Sequence, residues 1–165
     1  MKGTPLNIRA YADSDLPRLI ELTIATFGPF YEEGFRPLVG DAIFENQHGR
    51  WREDYRAQVP ALHDPADGKL VAVADDPSGI VGYVGWNYDL ERNNGHIEIL
   101  AVSAAHRGRG IGTRLCEHAF SDLKERGVEV AVIGTGGDDF HAPARALYAS
   151  LGCTPYPVAV YYRRL

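Results

Sequence analysis

Between Glu98 and Cys116 the chain reads EILAVSAAHRGRGIGTRLC, the stretch that most narrows what this sequence can fold into. A strand-like run ending at Val102 enters a bend that carries Gly108, Gly110 and Gly112. The bend leads into Ile111, Leu115, Ala119 and Leu123, apolar residues at helical spacing. Alternate glycines let the backbone approach a ligand with no Cβ in the way. A helix starting there leaves its first amide N–H groups unpaired and adds a positive dipole end. Together these make an anion site suited to phosphate. Arg107 and Arg109 flank it with charge-assisted donors. The spacing is not G-x-G-x-x-G and no Lys-Ser/Thr pair follows, so dinucleotide-binding and P-loop readings fit poorly. On these residues alone, a flexible turn that binds nothing stays open.

The surrounding pattern places this unit within one α/β domain spanning 1–165. Leu6–Tyr11 reads as a strand, followed by a helix that runs to Gly28-Pro29. Phe30–Val39 has no clear period, and Asp41–Ala61 is mostly helical. Leu70–Ala74 and Ile80–Tyr88 form a predicted hairpin, and His96–Val102 is a third strand of the same texture. After the helix ending at Gly127, Val128–Ile133 reads as a buried-type strand. Pro143 opens a further helix that ends at Gly152, and Val158–Arg164 is a final strand. The predicted order is β-α-α-β-β-β-α-β-α-β: a mixed, mostly antiparallel sheet of about six strands flanked by about four helices.

Charge limits the partners. With 22 acidic against 17 basic residues the net charge is −5, and no basic face suited to a nucleic-acid backbone is apparent. No run of ~18 apolar residues marks a membrane span, and Met1–Arg9 lacks a signal-peptide pattern. A cytoplasmic protein with no membrane partner is expected. Cys116 and Cys153 form neither a CxxC pair nor a zinc spacing, so no metal is expected and both read as small buried side chains.

Arg107-Gly108-Arg109-Gly110-Ile111-Gly112 resembles the (Gln/Arg)-x-x-Gly-x-(Gly/Ala) motif with which GNAT N-acetyltransferases hold the pyrophosphate of coenzyme A. Ala144–Cys153, reading ARALYASLGC, resembles the family's A-x-x-L-Y-x-x-L-G-F helix, in the family's order and roughly its spacing. The resemblance implies acetyl-CoA as co-substrate, a GNAT-like fold and transfer to a primary amine of a small molecule, directly within a ternary complex. Leu100, Ala101 and Val102 would then pair with the pantetheine arm, and Arg107 to Thr113 would cradle the pyrophosphate. His141 stands where relatives often carry a cofactor-contacting Asn. The chain ends 13 residues after Gly152, where relatives often have two more strands; the last strand is missing, shortened or supplied through a dimer contact. A homodimer is compatible with the resemblance.

The acceptor amine must lose a proton before it attacks, since alkylammonium groups titrate near ~10. Glu98 is the candidate base, expected to share a strand face with Leu100 and to be tuned by burial. A solvated or ion-paired glutamate is the alternative, and His96 on the same strand is a second candidate. Tyr148 matches the family's general-acid tyrosine and also borders the cofactor, with a packing role as its alternative. Asp138 and Asp139 read as cationic-acceptor contacts, helix caps or solvated turn residues. Phe30, Tyr31, Glu32 and Glu33, with Trp86 as an aromatic wall, are the acceptor-site candidates. Two other functions stay open: protein or peptide N-acetylation, and a non-catalytic acyl-CoA-binding sensor.

Overall fold

A computed structural model describes residues 5–165; residues 1–4 of the expected domain lie outside the described residues. Five strands build one sheet in the order β1-β2-β3-β4-β5: Asn7–Ala10, Lys69–Asp76, Gly79–Asp89, Asn94–Val102 and Val130–Ile133. The first four run antiparallel, and β5 joins β4 in parallel. This is the mixed, mostly antiparallel sheet expected, with five strands rather than six.

The sheet buries both faces. Its strands alternate side chains between them, so β2 sends Val71 and Val73 to one core and Ala72 and Ala74 to the other. On the first face lies α1, Leu16–Pro29, with Leu19 and Leu22 inward. On the second lies α5, Ile111–Glu125, with Ile111, Leu115, Ala119 and Leu123 inward, the helical spacing read from the sequence. Tyr83 of β3 is fully buried under α1, where its hydroxyl meets that of Thr23.

Between α1 and β2 the chain is helical almost throughout, but in pieces. Gly28-Pro29 does not release it. Pro29 lacks an N–H for the α-helical ladder, and the backbone widens into a π-helical stretch over Phe30–Phe35, where the Arg36 N–H reaches back to the Tyr31 carbonyl. Helix α2, Arg36–Val39, follows and stops at Gly40; α3 is Asp41–His48 and α4 Trp51–Gln58. The segment without a clear period thus belongs to the helical layer, its period being that of a wider helix.

The C-terminal third departs from expectation. The sequence predicts a buried strand over Val128–Ile133, yet the strand that forms, Val130–Ile133, leaves three of its four residues exposed. Helix α6, Ala142–Ser150, buries no side chain fully. It ends in a left-handed Gly152, with the Cys153 N–H on the Tyr148 carbonyl. The expected strand Val158–Arg164 does not form: residues 153–165 take no regular structure and pair with no strand among the described residues. Among the described residues the tail joins no strand edge, that of β5 included, so its backbone groups form no ladder. No helix among the described residues is long and apolar enough to cross a membrane.

Candidate active site

A cleft of about 430 Å³ opens where the C-terminal end of β4, the glycine bend, the start of α5 and helix α6 converge. Leu100 and Val102 supply its strand wall, Gly108, Gly110 and Gly112 its floor, and Ala144 and Leu147 the facing wall. Gly110 sits at φ +73°, a left-handed conformation that favours glycine, with open space where a Cβ would point. A Cβ on Gly112 would come within 3.1 Å of Leu147, so that glycine lets α6 close on the bend. Among the described residues no side chain caps the N-terminus of α5, which leaves its first-turn amides for an anionic ligand. Arg107 lines the cleft beside them. The residues present therefore fit a pyrophosphate with a slim apolar arm running along β4.

The inner end has different chemistry. Thr26 and Phe27 of α1 face this part of the cleft together with Phe140 and His141. The Thr26 hydroxyl is buried and has no hydrogen-bond partner among the described residues. His141 Nδ1 lies 2.6 Å from Asp138 Oδ1. Burial works against ionisation of Asp138, but the His141 hydrogen bond and charge outweigh it and hold the carboxyl below its ordinary value. The His141 ring packs edge-on against Phe30 and Phe140, with centroids 4.8 and 4.9 Å away.

The model of the acetyltransferase (GNAT) family matches residues 24–153, from the last turns of α1 through α6. The chain belongs to the GNAT acetyltransferase family. A mycothiol acetyltransferase of Thermomonospora curvata is 31% identical over 162 residues, covering 94% of this chain and 52% of that protein. The chain thus spans about half the length of that relative. Among solved structures, an aminoglycoside acetyltransferase from an uncultured soil metagenomic sample superposes with a TM-score of 0.65 at 21% identity, over 98% of this chain and 99% of that one. The aminoglycoside N-acetyltransferase AAC(6')-Iy, solved with CoA, gives 0.69 at 14% identity, over 99% and 97%. Both show the fold.

Within this GNAT domain the two motifs meet across one cleft, but the candidate residues do not all reach it. Leu100, Val102, Arg107, Gly108, Gly110, Ile111, Gly112, Thr113 and His141 line it. Ala101 points into the core under α1, and Arg109 is exposed outside the lining. Tyr148, next to Leu147 on α6, is not among the lining residues. Burial, with Cys116 and Cys153 nearby, pushes its phenol up to about 12.

Glu98 is also displaced. The register of β4 on β3 slips between Gly85 and Trp86, which pair with Ile99 and Ile97, so Glu98 is an extra, bulged residue. The face shared with Leu100 that simple alternation predicts is lost. Glu98 is exposed rather than buried and lines a separate hollow of about 270 Å³ with Gln58, Leu62, Lys69 and Asn87, accepting a hydrogen bond from Asn87 Nδ2 at 2.6 Å.

The acceptor candidates divide as well. Phe30 reaches the inner end of the cleft through Phe140 and His141. Tyr31 stacks on Trp51 at 4.8 Å. Glu32 accepts from Trp51 Nε1 at 3.1 Å and pairs with Arg36 and Arg52, contacts that hold its carboxyl below the ordinary range. Both fasten the π-helical stretch to α4. Glu33 is exposed, and Trp86 is buried with its indole N–H on Asp122 at 2.9 Å. Thr26 and Phe140 escaped sequence reasoning because they come from separate elements with no motif around them. No group of three His, Cys, Asp or Glu among the described residues is placed to hold a metal.

Proposed function

We propose that the domain transfers an acetyl group from acetyl-CoA to a primary amine of a small molecule, directly, in a ternary complex. The convergence of both motifs on one cleft carries this reading. Arg107 and the amides of the bend would hold the pyrophosphate, and Leu100 and Val102 would border the pantetheine arm. Direct transfer is favoured because neither cysteine lines the cleft, and burial pushes the Cys116 thiol up to about 12, which keeps it protonated. Tyr148, protonated at neutral pH for the same reason, is the proposed acid for the departing thiolate. The small-molecule acceptor rests on the names of the relatives, mycothiol and aminoglycoside acetyltransferases. Free cysteines and a net charge of −5 fit a cytoplasmic protein that binds no nucleic acid.

Glu98 is the base in the first reading, with the acceptor entering from the Glu98 hollow. A second reading is favoured by one observation: His141, tethered to Asp138, lines the cleft itself. An imidazole whose Nδ1 donates to a carboxylate presents Nε2 as a base.

Thermal unfolding with acetyl-CoA, and with NADH as a polyanion control, tests the cofactor. At ~100 times its dissociation constant, acetyl-CoA adds about 2.7 kcal/mol of stability. That is a rise in Tm of roughly 5–10 °C for a chain of this size. Thiol release from acetyl-CoA with sisomicin, an acetyl-free mycothiol precursor and a free-amine peptide then sorts the acceptors. No shift at millimolar acetyl-CoA would remove the acetyl-donor reading, and turnover of the peptide alone would replace the small-molecule acceptor.

A further inference from the structure

The inward face of α1 carries four buried residues, Leu19, Leu22, Thr23 and Thr26, so two hydroxyls sit on an otherwise apolar stripe. A buried hydroxyl must replace the hydrogen bonds that water gave it. In a helix the ready partner is the carbonyl four residues back. Thr23 uses it, donating to the Leu19 carbonyl at 2.7 Å, and also meets the Tyr83 hydroxyl. Thr26 does not. The residue is only 8% exposed, and its hydroxyl has no hydrogen-bond partner among the described residues. One helix thus holds two buried threonines three positions apart, the first satisfied by the fold and the second left open. The open one lines the inner end of the cleft.

Its neighbours there narrow what the hydroxyl can serve. Phe27 and Phe140 bring rings without a donor, and His141 is engaged through Nδ1 with Asp138 Oδ1. A slim arm laid along Val102 and Leu100 from the glycine bend would end beside them. On the acetyl-CoA reading proposed above, on which this inference rests, that end is the thioester. Its reacting group is a carbonyl, whose oxygen gains charge as the acceptor amine adds. The amine nitrogen bonds to the carbonyl carbon, the C=O pair moves onto oxygen, and it returns as the C–S bond breaks. The proton that the amine gives to the base is balanced by one delivered to the leaving sulfur. A donor aimed at the oxygen therefore binds hardest in the transition state, and most strongly where water is shut out.

We propose that Thr26 is a catalytic residue, its hydroxyl donating a hydrogen bond to the acyl carbonyl of acetyl-CoA and to the oxyanion formed from it. The hydroxyl that the fold leaves unpaired is then satisfied by the ligand. Its position on α1, across the cleft from the bend and α6, makes the first helix part of the reaction centre as well as of the core.

The test uses the whole chain and two variants. Thr26→Val keeps the shape and deletes the donor, whereas Thr26→Ser keeps the donor on a smaller side chain. Without ligand, Thr26→Val should melt no lower than wild type, because no hydrogen bond of the fold is lost. Acetyl-CoA isotope-labelled at the acetyl carbonyl gives a readout that needs no acceptor. In infrared difference spectra its bound carbonyl should absorb at lower wavenumber in wild type and Thr26→Ser than in Thr26→Val. With an amine that is turned over, kcat of Thr26→Val should fall about 100-fold while KM for acetyl-CoA changes little. Thr26→Ser should recover most of the loss. A melting temperature lowered by Thr26→Val would mean that the hydroxyl serves the fold, and would overturn the assignment. An unmoved carbonyl band in a Thr26→Val protein that still binds acetyl-CoA would overturn it too, leaving the acetyl-donor reading in place. Failure of wild type to bind acetyl-CoA would overturn both.

Discussion

Asp138 and His141 stand three positions apart, and the turn before α6 brings Asp138 Oδ1 to 2.6 Å from His141 Nδ1. From sequence the aspartate reads equally well as a helix cap or a solvated turn residue. Its use depends on which way the turn aims the histidine. If His141 is the base, Asp138→Asn loses the carboxylate that holds Nδ1 and so aims Nε2 into the cleft, and kcat/KM should fall. Activity at neutral pH should fall about 10-fold. If Glu98 is the base, Asp138→Asn leaves kcat/KM near wild type and Glu98→Gln removes most of it. A structural pair lies at the other end of the domain. Asp15, nearly buried, accepts from Arg9 Nη1 at 2.8 Å, from Arg9 Nη2 at 2.9 Å and from the Ala12 N–H at 2.9 Å. The Arg9 hydrogen bonds hold its carboxyl below the ordinary value against the effect of burial. A depressed carboxylate contributes stability above its unfolded pKa of ~3.9 and loses it as pH falls through the lower folded value. Asp15→Ala should therefore cost about 2 kcal/mol at pH 7. In urea unfolding the gap from wild type should close on acidification below that range.

At the scale of elements, local pattern and pairing register part company. Glycine spacing, helix period and hairpin turns are local, and the structure follows them at β2, β3 and α5. The bulge in β4 and the π-helical stretch after Pro29 are not local. One needs the register of a neighbouring strand, and the other needs α4 to supply Trp51 and Arg52 for Glu32. The glycine bend gives the sharpest element-level prediction. Gly110→Glu puts a side chain at φ +73°, costing about 1 kcal/mol, and sets a negative charge beside the anion cradle. Acetyl-CoA affinity measured by titration calorimetry should fall at least ~10-fold. Gly110→Ala carries the strain without the charge and should keep most of the affinity.

Over the whole molecule, one sheet with α1 and α5 on its faces makes the stable body, while α6 and the tail lie outside its two cores and β5 adds only Ile133 to one of them. The cleft runs along the seam between them. A ligand bound there touches both parts, so acetyl-CoA should slow amide hydrogen exchange in α6 and over residues 107–114 far more than in β2 and β3, which already close the core. Uniform protection, or none in α6, would count against the cleft as the cofactor site. By itself the sequence determined the strand–bend–helix cradle, the helical face of α5, the α6 motif and hence the family, because each depends on neighbours within a few residues. Tertiary structure alone decided that Glu98 leaves the cleft, that Leu147 and not Tyr148 lines it, and that Thr26 and Phe140 share its inner end with His141. It also left the strand expected at Val158–Arg164 unpaired, although β5 ends the sheet with an open edge. Each of these depends on what lies across the sheet or across the cleft, and a strand has no identity until something pairs with its backbone.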